Sequence, residues 1–223
     1  MTKGELIGSG DGVMEDWQKI GCFAEGAYTM IGYKRLCNIE DLILDVVERG
    51  VPGDVIETGV WKGGAVIWMK YLLDKLGSNK KVYVADSFEG LPSPDGERYP
   101  LDAGWDYSTL SHLSISEEQV RKNFDKFGLL DDRVIFVKGW FKDTLPSLPG
   151  PFCIIRLDGD MYESTINALD ALYGKLSPGG YCIIDDWCLI PANTAAIDYR
   201  SRNGITDPVI DIDWSGSYWQ KAK

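Results

Sequence analysis

Apolar positions along this chain come in short continuous runs that alternate with stretches of helical spacing. Ile39, Leu42, Ile43, Val46 and Val47 lie on one helical stripe, with Asn38 placed to cap it, Asp41 in its first turn and Gly50 to stop it. Asp54-Val55-Ile56-Glu57 then reads as a strand that breaks at Gly59, and a helix is predicted over 65–76, closed by Gly77. A second strand, 81–86, ends on Asp86. A helix over 116–127 opens with Ser116, Glu117 and Glu118 and stops at Gly128, and a third strand follows at 134–137. The apolar runs 152–157 and 181–184 are two further strands, separated by a helix over 164–176 and by a turn at Ser177-Pro178-Gly179-Gly180. A helix near 193–202 precedes a hairpin built from 209–212 and 218–221 around Ser215-Gly216. Residues 33–36 mix aromatic and basic side chains without a clear period. Residues 1 to about 20 are Gly-rich and acidic and are predicted to form a loosely held arm.

Strands alternating with helices and closed by a hairpin imply an α/β fold, doubly wound around a mostly parallel sheet. Ligands of such sheets bind beyond the carboxyl ends of the strands. Glu57, Asp86, Asp158 and Asp185 all fall at those ends. Between 89 and 115 no regular period exists; the stretch is rich in Pro, Gly, Ser and aromatic residues, the character of a binding loop or lid.

Composition narrows the function. The chain has 223 residues with 44% hydrophobic and 26% charged, enough for one domain with a full core. A net charge of −11 excludes the basic surface that nucleic acids and anionic membranes require, and no apolar run reaches the length of about 20 residues that a membrane helix needs. The first residues lack the apolar core of a signal peptide. The five cysteines, Cys22, Cys37, Cys153, Cys182 and Cys188, are odd in number and scattered, which predicts free thiols in a reducing cytoplasm. A single histidine, His112, leaves little room for His-based chemistry.

The chemistry is in the acids. Phe152-Cys153-Ile154-Ile155-Arg156-Leu157 empties into Asp158-Gly159-Asp160, and Tyr181-Cys182-Ile183-Ile184 empties into Asp185-Asp186. If these two strands are neighbours, four carboxylates gather at one sheet edge, an arrangement that needs a cation or protonation. Asp and Gly are also common at plain strand-end turns, but the repetition at matching ends favours a site. A donor set of oxygens alone selects Mg²⁺, Ca²⁺ or Mn²⁺ over zinc or copper.

Glu57-Thr58-Gly59-Val60-Trp61-Lys62-Gly63-Gly64 is a glycine-rich strand-to-helix turn that lacks the G-x-G-x-x-G dinucleotide fingerprint. An acid there suits an ammonium, and the helix N-terminus suits a carboxylate, so the methionine part of S-adenosylmethionine fits; a purely structural turn fits the motif equally well. Asp86 comes 27 residues after Gly59, near the place of a ribose-binding acid, with Ser87 beside it. Gly139-Trp140-Phe141 follows the next strand and could wall an adenine. A cation beside a methyl donor would bind an acceptor hydroxyl and lower its pKa, leaving a spare carboxylate to take the proton.

Met30-Ile31-Gly32, 51–54, 56–61, 85–92, 139–141, 157–165 and Ile184-Asp185-Asp186, in this order, resemble the macrocin O-methyltransferase family over roughly 28–220. The resemblance implies a seven-stranded, Rossmann-like class I methyltransferase sheet, with an arm over 1–27, the methyltransferase domain over 28–223 and a lid near 89–118. It implies an S-adenosylmethionine- and Mg²⁺-dependent enzyme that methylates a sugar hydroxyl of a glycosylated natural product and forms homo-oligomers. Carried over residue by residue, the metal acids fall on Asp158, Asp185 and Asp186, and the general base on Asp160. The cofactor positions fall on Glu57, Thr58, Gly59, Asp86 and Ser87, and the lid contains His112. Cys188, Leu189 and the lid composition are where members vary, which leaves the acceptor open. A metal-dependent catechol or phenol O-methyltransferase is the alternative enzyme, and a non-catalytic nucleotide- or sugar-binding protein the alternative outside enzymes.

Overall fold

The computed structural model describes residues 1–8 and 26–222. Seven strands form one sheet, β1 (Asp54–Thr58), β2 (Val82–Asp86), β3 (Val134–Lys138), β4 (Phe152–Leu157), β5 (Leu176–Ile184), β6 (Ile210–Asp211) and β7 (Ser217–Gln220), in the order β3-β2-β1-β4-β5-β7-β6. The first five are parallel, and β7 runs antiparallel to both β5 and β6. The expected doubly wound, mostly parallel sheet with a terminal hairpin is therefore present.

Apolar runs without alternation form the central strands because both sheet faces are covered. Val55, Ile154 and Ile183 face one core with Leu36, Ile43, Met69 and Phe124; Ile56, Ile155 and Ile184 face the other with Leu169, Ala196 and Trp219. The first core is roofed by α2 (Tyr33–Glu48), α3 (Gly64–Lys75) and α4 (Glu117–Lys126), and the second by α6 (Tyr162–Leu172) and α7 (Ile190–Arg202). A single turn, α5 (Phe141–Thr144), follows β3. The Ser116 hydroxyl caps α4, accepting from Gln119 N at 3.2 Å.

Three segments differ from the sequence expectation. Helix α2 begins at Tyr33, so Asn38 lies inside it and Gly32 is its cap. The period is hidden because Arg35, a charged residue, occupies a buried position of the apolar face beside Leu36. Ser177-Pro178-Gly179-Gly180 is part of β5 rather than a turn. Gly180 lies so close to β4 that a Cβ would sit 2.6 Å from the Cys153 carbonyl, and Lys221 N donates to Gly180 O at 2.8 Å. At the N-terminus, α1 (Lys3–Ile7) is a capped helix whose Leu6 and Ile7 are buried in the first core, so this piece is packed and not loosely held. The rest of the expected arm, including Cys22, lies outside the described residues up to 25. Among the described cysteines, Cys153 and Cys182 are buried and Cys188 is exposed, all as free thiols. Among the described residues no helix is long and apolar enough to cross a membrane.

Strands β1 and β4 are neighbours, but the chain first goes outward from β1 to β3 and then returns to β4 on the other side. Their carboxyl ends therefore flank the switch point of the topology, where open α/β sheets hold ligands.

Candidate active site

An open cavity of about 800 Å³, mouth included, lies at this switch point. Its walls come from the turn after β1 (Gly59, Trp61), the end of β2 (Asp86, Ser87), the start of α5 (Trp140, Phe141) and the loop after β4 (Asp158, Gly159, Asp160). Gly59 is required by the protein itself: it has φ +81°, and a Cβ there would overlap the carbonyl oxygen of Asp158. The end of β4 can lie against the turn after β1 only because that position has no side chain.

Asp86 is fixed by its own neighbourhood. Its carboxylate accepts from Val60 N and Phe88 N, each at 2.7 Å, and Ser87 Oγ donates to Gly90 O at 2.7 Å. Burial pushes the Asp86 pKa up, and the backbone donors oppose it. Of the sequence-predicted cofactor positions, Gly59, Asp86, Ser87, Trp140 and Phe141 line the cavity, whereas Glu57, Thr58 and Gly139 do not. Glu57 is sealed behind the wall in an ion pair with Arg156, and Glu57 Oε2 and Thr58 Oγ1 are buried without a hydrogen-bond partner.

Asp158, Asp185 and Asp186 converge as the strand pattern requires, each offering an oxygen within 4.8 Å of the others. Parallel pairing sets this: Asp158 N donates to Thr58 O and Asp185 N to Leu157 O, both at 2.9 Å, which brings the ends of β1, β4 and β5 level. Asp158 and Asp160 reach the cavity; Asp185 and Asp186 lie beneath it. Asp160 adopts φ +57°, a conformation tolerated by Asp more readily than by most residues, and its N–H donates to Asp186 Oδ2 at 3.0 Å.

Two buried arginines, Arg156 and Arg35, thread this cluster. Arg156 pairs with Glu57, with Asp158 (2.8 Å) and with Asp185; Arg35 pairs with Asp185 and, through Nε at 3.1 Å, with Asp213. A pairing of Arg156 is legible in the sequence, since Asp158 follows it by two positions at the end of β4, where an extended chain puts both on one side. Six carboxylates (Glu57, Asp158, Asp160, Asp185, Asp186 and Asp213) still face two guanidiniums. The surplus shows in the titration. Burial, then Asp185, raises Asp158 to about 6; burial, then Asp158 and Asp185, raises Asp160 to about 7. Glu57 is raised to about 8 by burial against the pull of Arg156, and Asp186 lies well above the usual carboxylate range through burial and its acidic neighbours. A divalent cation would reverse these shifts.

His112 belongs to the irregular segment over 89–115. It is exposed in the 3₁₀ turn Ser111–Leu113 and does not line the cavity, and its carbonyl accepts from Trp61 Nε1 at 2.8 Å. The far wall is formed by Ser164, inside the resembling segment 157–165, and by two residues that no motif singles out, Asn167 on α6 and Lys142, 3.7 Å from Glu163.

Residues 12–221 match the family described as macrocin-O-methyltransferase (TylF). The chain belongs to the macrocin O-methyltransferase family. It is 46% identical over 210 residues to the 8-demethyl-8-(2,3-dimethoxy-alpha-L-rhamnosyl)-tetracenomycin-C 4'-O-methyltransferase of Streptomyces olivaceus, covering 92% of this chain and 77% of that protein. It is 43% identical over 201 residues to the mycinamicin III 3''-O-methyltransferase of Micromonospora griseorubida, covering 88% and 79%. Among solved structures, the O-methyltransferase NovP superposes with a TM-score of 0.87 at 46% identity, over 88% of this chain and 83% of that one. The protein is thus an O-methyltransferase with the class I methyltransferase fold, and the cavity at its switch point is the candidate active site of this family member.

Proposed function

We propose that this methyltransferase moves the methyl group of S-adenosylmethionine to a sugar hydroxyl of a glycosylated natural product, with Mg²⁺ as its cation. The observation that carries the reading is one continuous cavity that joins the Gly59–Asp86 end to the Asp158–Asp160 end. The nucleoside end fits a methyl donor: Asp86 presents a carboxylate to two ribose hydroxyls, and Trp140 and Phe141 offer ring faces to adenine. The rhamnosyl substrate in the name of one relative supports the acceptor class.

The acidic end fits a hard divalent cation. Its donors are all carboxylate oxygens, they outnumber the arginines among them, and the Asp185 oxygens have lone pairs beyond those used by Arg35 and Arg156. Asp158, Asp185 and Asp186 would hold the cation, which when bound supplies Lewis acidity to the acceptor hydroxyl. Asp160, at the cavity surface, accepts the hydroxyl proton as the oxygen attacks the methyl carbon. The new O–CH₃ bond replaces the S–CH₃ bond, and S-adenosylhomocysteine leaves. Arg156 and Arg35 hold the acids in place throughout.

The test is methyl transfer from labelled S-adenosylmethionine to a panel of rhamnosides and related glycosides, with Mg²⁺ and with chelator. Transfer should require the cation and be abolished by Asp158→Ala. Undiminished transfer in chelator overturns the metal role, and transfer to catechols but to no glycoside overturns the acceptor class.

A further inference from the structure

The 89–115 segment is attached to the acid-bearing loop through one carboxylate. Helix α6 begins directly after Asp158-Gly159-Asp160-Met161, and its own cap position, Met161, has no side chain able to accept a hydrogen bond. The first N–H groups of that helix are instead taken by Asp102, some sixty positions earlier in the chain: Tyr162 N donates to Asp102 Oδ1 at 2.7 Å and Glu163 N to Asp102 Oδ2 at 2.9 Å. Asp102 is completely buried, although Leu101 and Ala103 on either side of it are exposed. Tyr99 adds a ring contact with Tyr162 at 5.9 Å between centroids. Asp102 does not line the cavity, but both ends of its segment do, through Gly90, Leu91, Pro92 and Leu113.

We infer that Asp102 is a positioning residue that latches the 89–115 segment shut over the cavity and ties its closure to the start of α6, where the Asp158–Asp160 loop ends. A carboxylate is stable in so buried a place only while it has the two N–H groups and the positive end of the helix. The segment therefore docks when Asp102 reaches α6 and lifts when it leaves. Because the same N–H groups follow the Asp158–Asp160 loop, docking also fixes the residues we assign to cation and base. The latch is read from the geometry; only its expected effect on cofactor release rests on the function proposed above.

Hydrogen–deuterium exchange on the full chain, comparing wild type with Asp102→Asn, tests this. Asn keeps the shape but sets an amide N–H against a backbone N–H, so one hydrogen bond and the charge are lost. Exchange in 93–113 and at Tyr162 and Glu163 should rise about tenfold, while β1, β4 and β5 stay unchanged. S-adenosylhomocysteine should dissociate faster by a similar factor, which a plain helix cap outside the cavity would not cause. Tyr99→Leu, which loosens the same segment without touching the carboxylate, should raise exchange in 93–113 to a smaller extent and serves if Asp102→Asn does not fold. Unchanged exchange in that segment, or a rise spread evenly over the sheet, overturns the latch. Failure of the wild type to bind S-adenosylhomocysteine would count against the proposed function instead, with the exchange result still deciding the latch.

Discussion

Arg156 should be the most costly single residue to remove from the site, by an amount that depends on pH. It is 1% exposed and is the shared cation of Glu57, Asp158 and Asp185. Arg156→Met fills a similar volume but leaves three carboxylates facing one another. Breaking a buried ion pair on one side costs about 3–5 kcal/mol, because the remaining charge stays desolvated. The acids can escape that cost only by binding protons. Asp158 and Glu57 already have folded-state pKa values above their unfolded ones, so the stability linked to them is complete below about pH 4 and is lost as pH rises through the folded pKa values of about 6 for Asp158 and about 8 for Glu57. Loss of Arg156 raises these values further. A rise of two units at Asp158 alone would cost roughly 2.3 kcal/mol at pH 8 and almost nothing at pH 5.

The expected result is a loss of about 3–5 kcal/mol at pH 8 that shrinks by roughly half at pH 5. Urea unfolding followed by tryptophan fluorescence, run at both pH values, measures it. For a chain of this size the pH 8 loss corresponds to a fall in Tm of roughly 6–20 °C. An equal loss at both pH values would show that Arg156 acts through packing alone, and a loss below about 1 kcal/mol at pH 8 would refute the charge argument altogether.

Other predictions follow from the same geometry. Mg²⁺ should stabilise the protein by about 2.7 kcal/mol at a concentration of 100 Kd, and more strongly at pH 8 than at pH 5, where protons compete for the acids; a calorimetric melt with and without the ion checks this. Asp160 accepts a proton only when ionised, so kcat/KM should fall as pH drops below its midpoint, about 7 without a cation and lower with one, and Asp160→Asn should remove most of the rate together with that limb. Gly59→Ala should cost at least about 1–2 kcal/mol for its positive φ alone, with the overlap on the Asp158 carbonyl added, and a normal melting curve for that variant would contradict the close approach. Ser116→Ala should cost about 1 kcal/mol in urea unfolding through loss of the α4 cap and leave methyl transfer unaffected.

The strands and the acids at their ends were legible because both arise from local pattern. A run such as Phe152–Leu157 has few alternatives to a buried strand, and once the strands are parallel their final residues must lie at one edge. What escaped was everything that depends on a partner distant in the chain. Arg35 interrupts an apolar stripe and made 33–36 unreadable, because its reason for being buried, Asp185 and Asp213, lies in elements far downstream. Gly179 and Gly180 carry the local signature of a turn, and only the close passage of β4 and Lys221 makes them strand. Asp102 looks like an ordinary loop acid until the uncapped start of α6 is placed beside it.

The acids at the strand ends and the arginines beneath them belong to one electrostatic problem. Without the arginines, six carboxylates so close would take up protons at neutral pH and lose the charge that attracts a cation. With a guanidinium for every acid, no net field would remain to bind one. Two arginines lie between these limits. Both pair with Asp185, Arg156 alone reaches Asp158, and Asp160 and Asp186 are left joined by the Asp160 N–H at 3.0 Å. The most deeply paired acid is thus the best fixed in position, and the least paired, Asp160, lies at the cavity surface with a pKa near neutrality, where proton transfer in either direction costs little. That gradient along the cluster is the physical argument for separating the residues that hold the cation from the one that takes the proton.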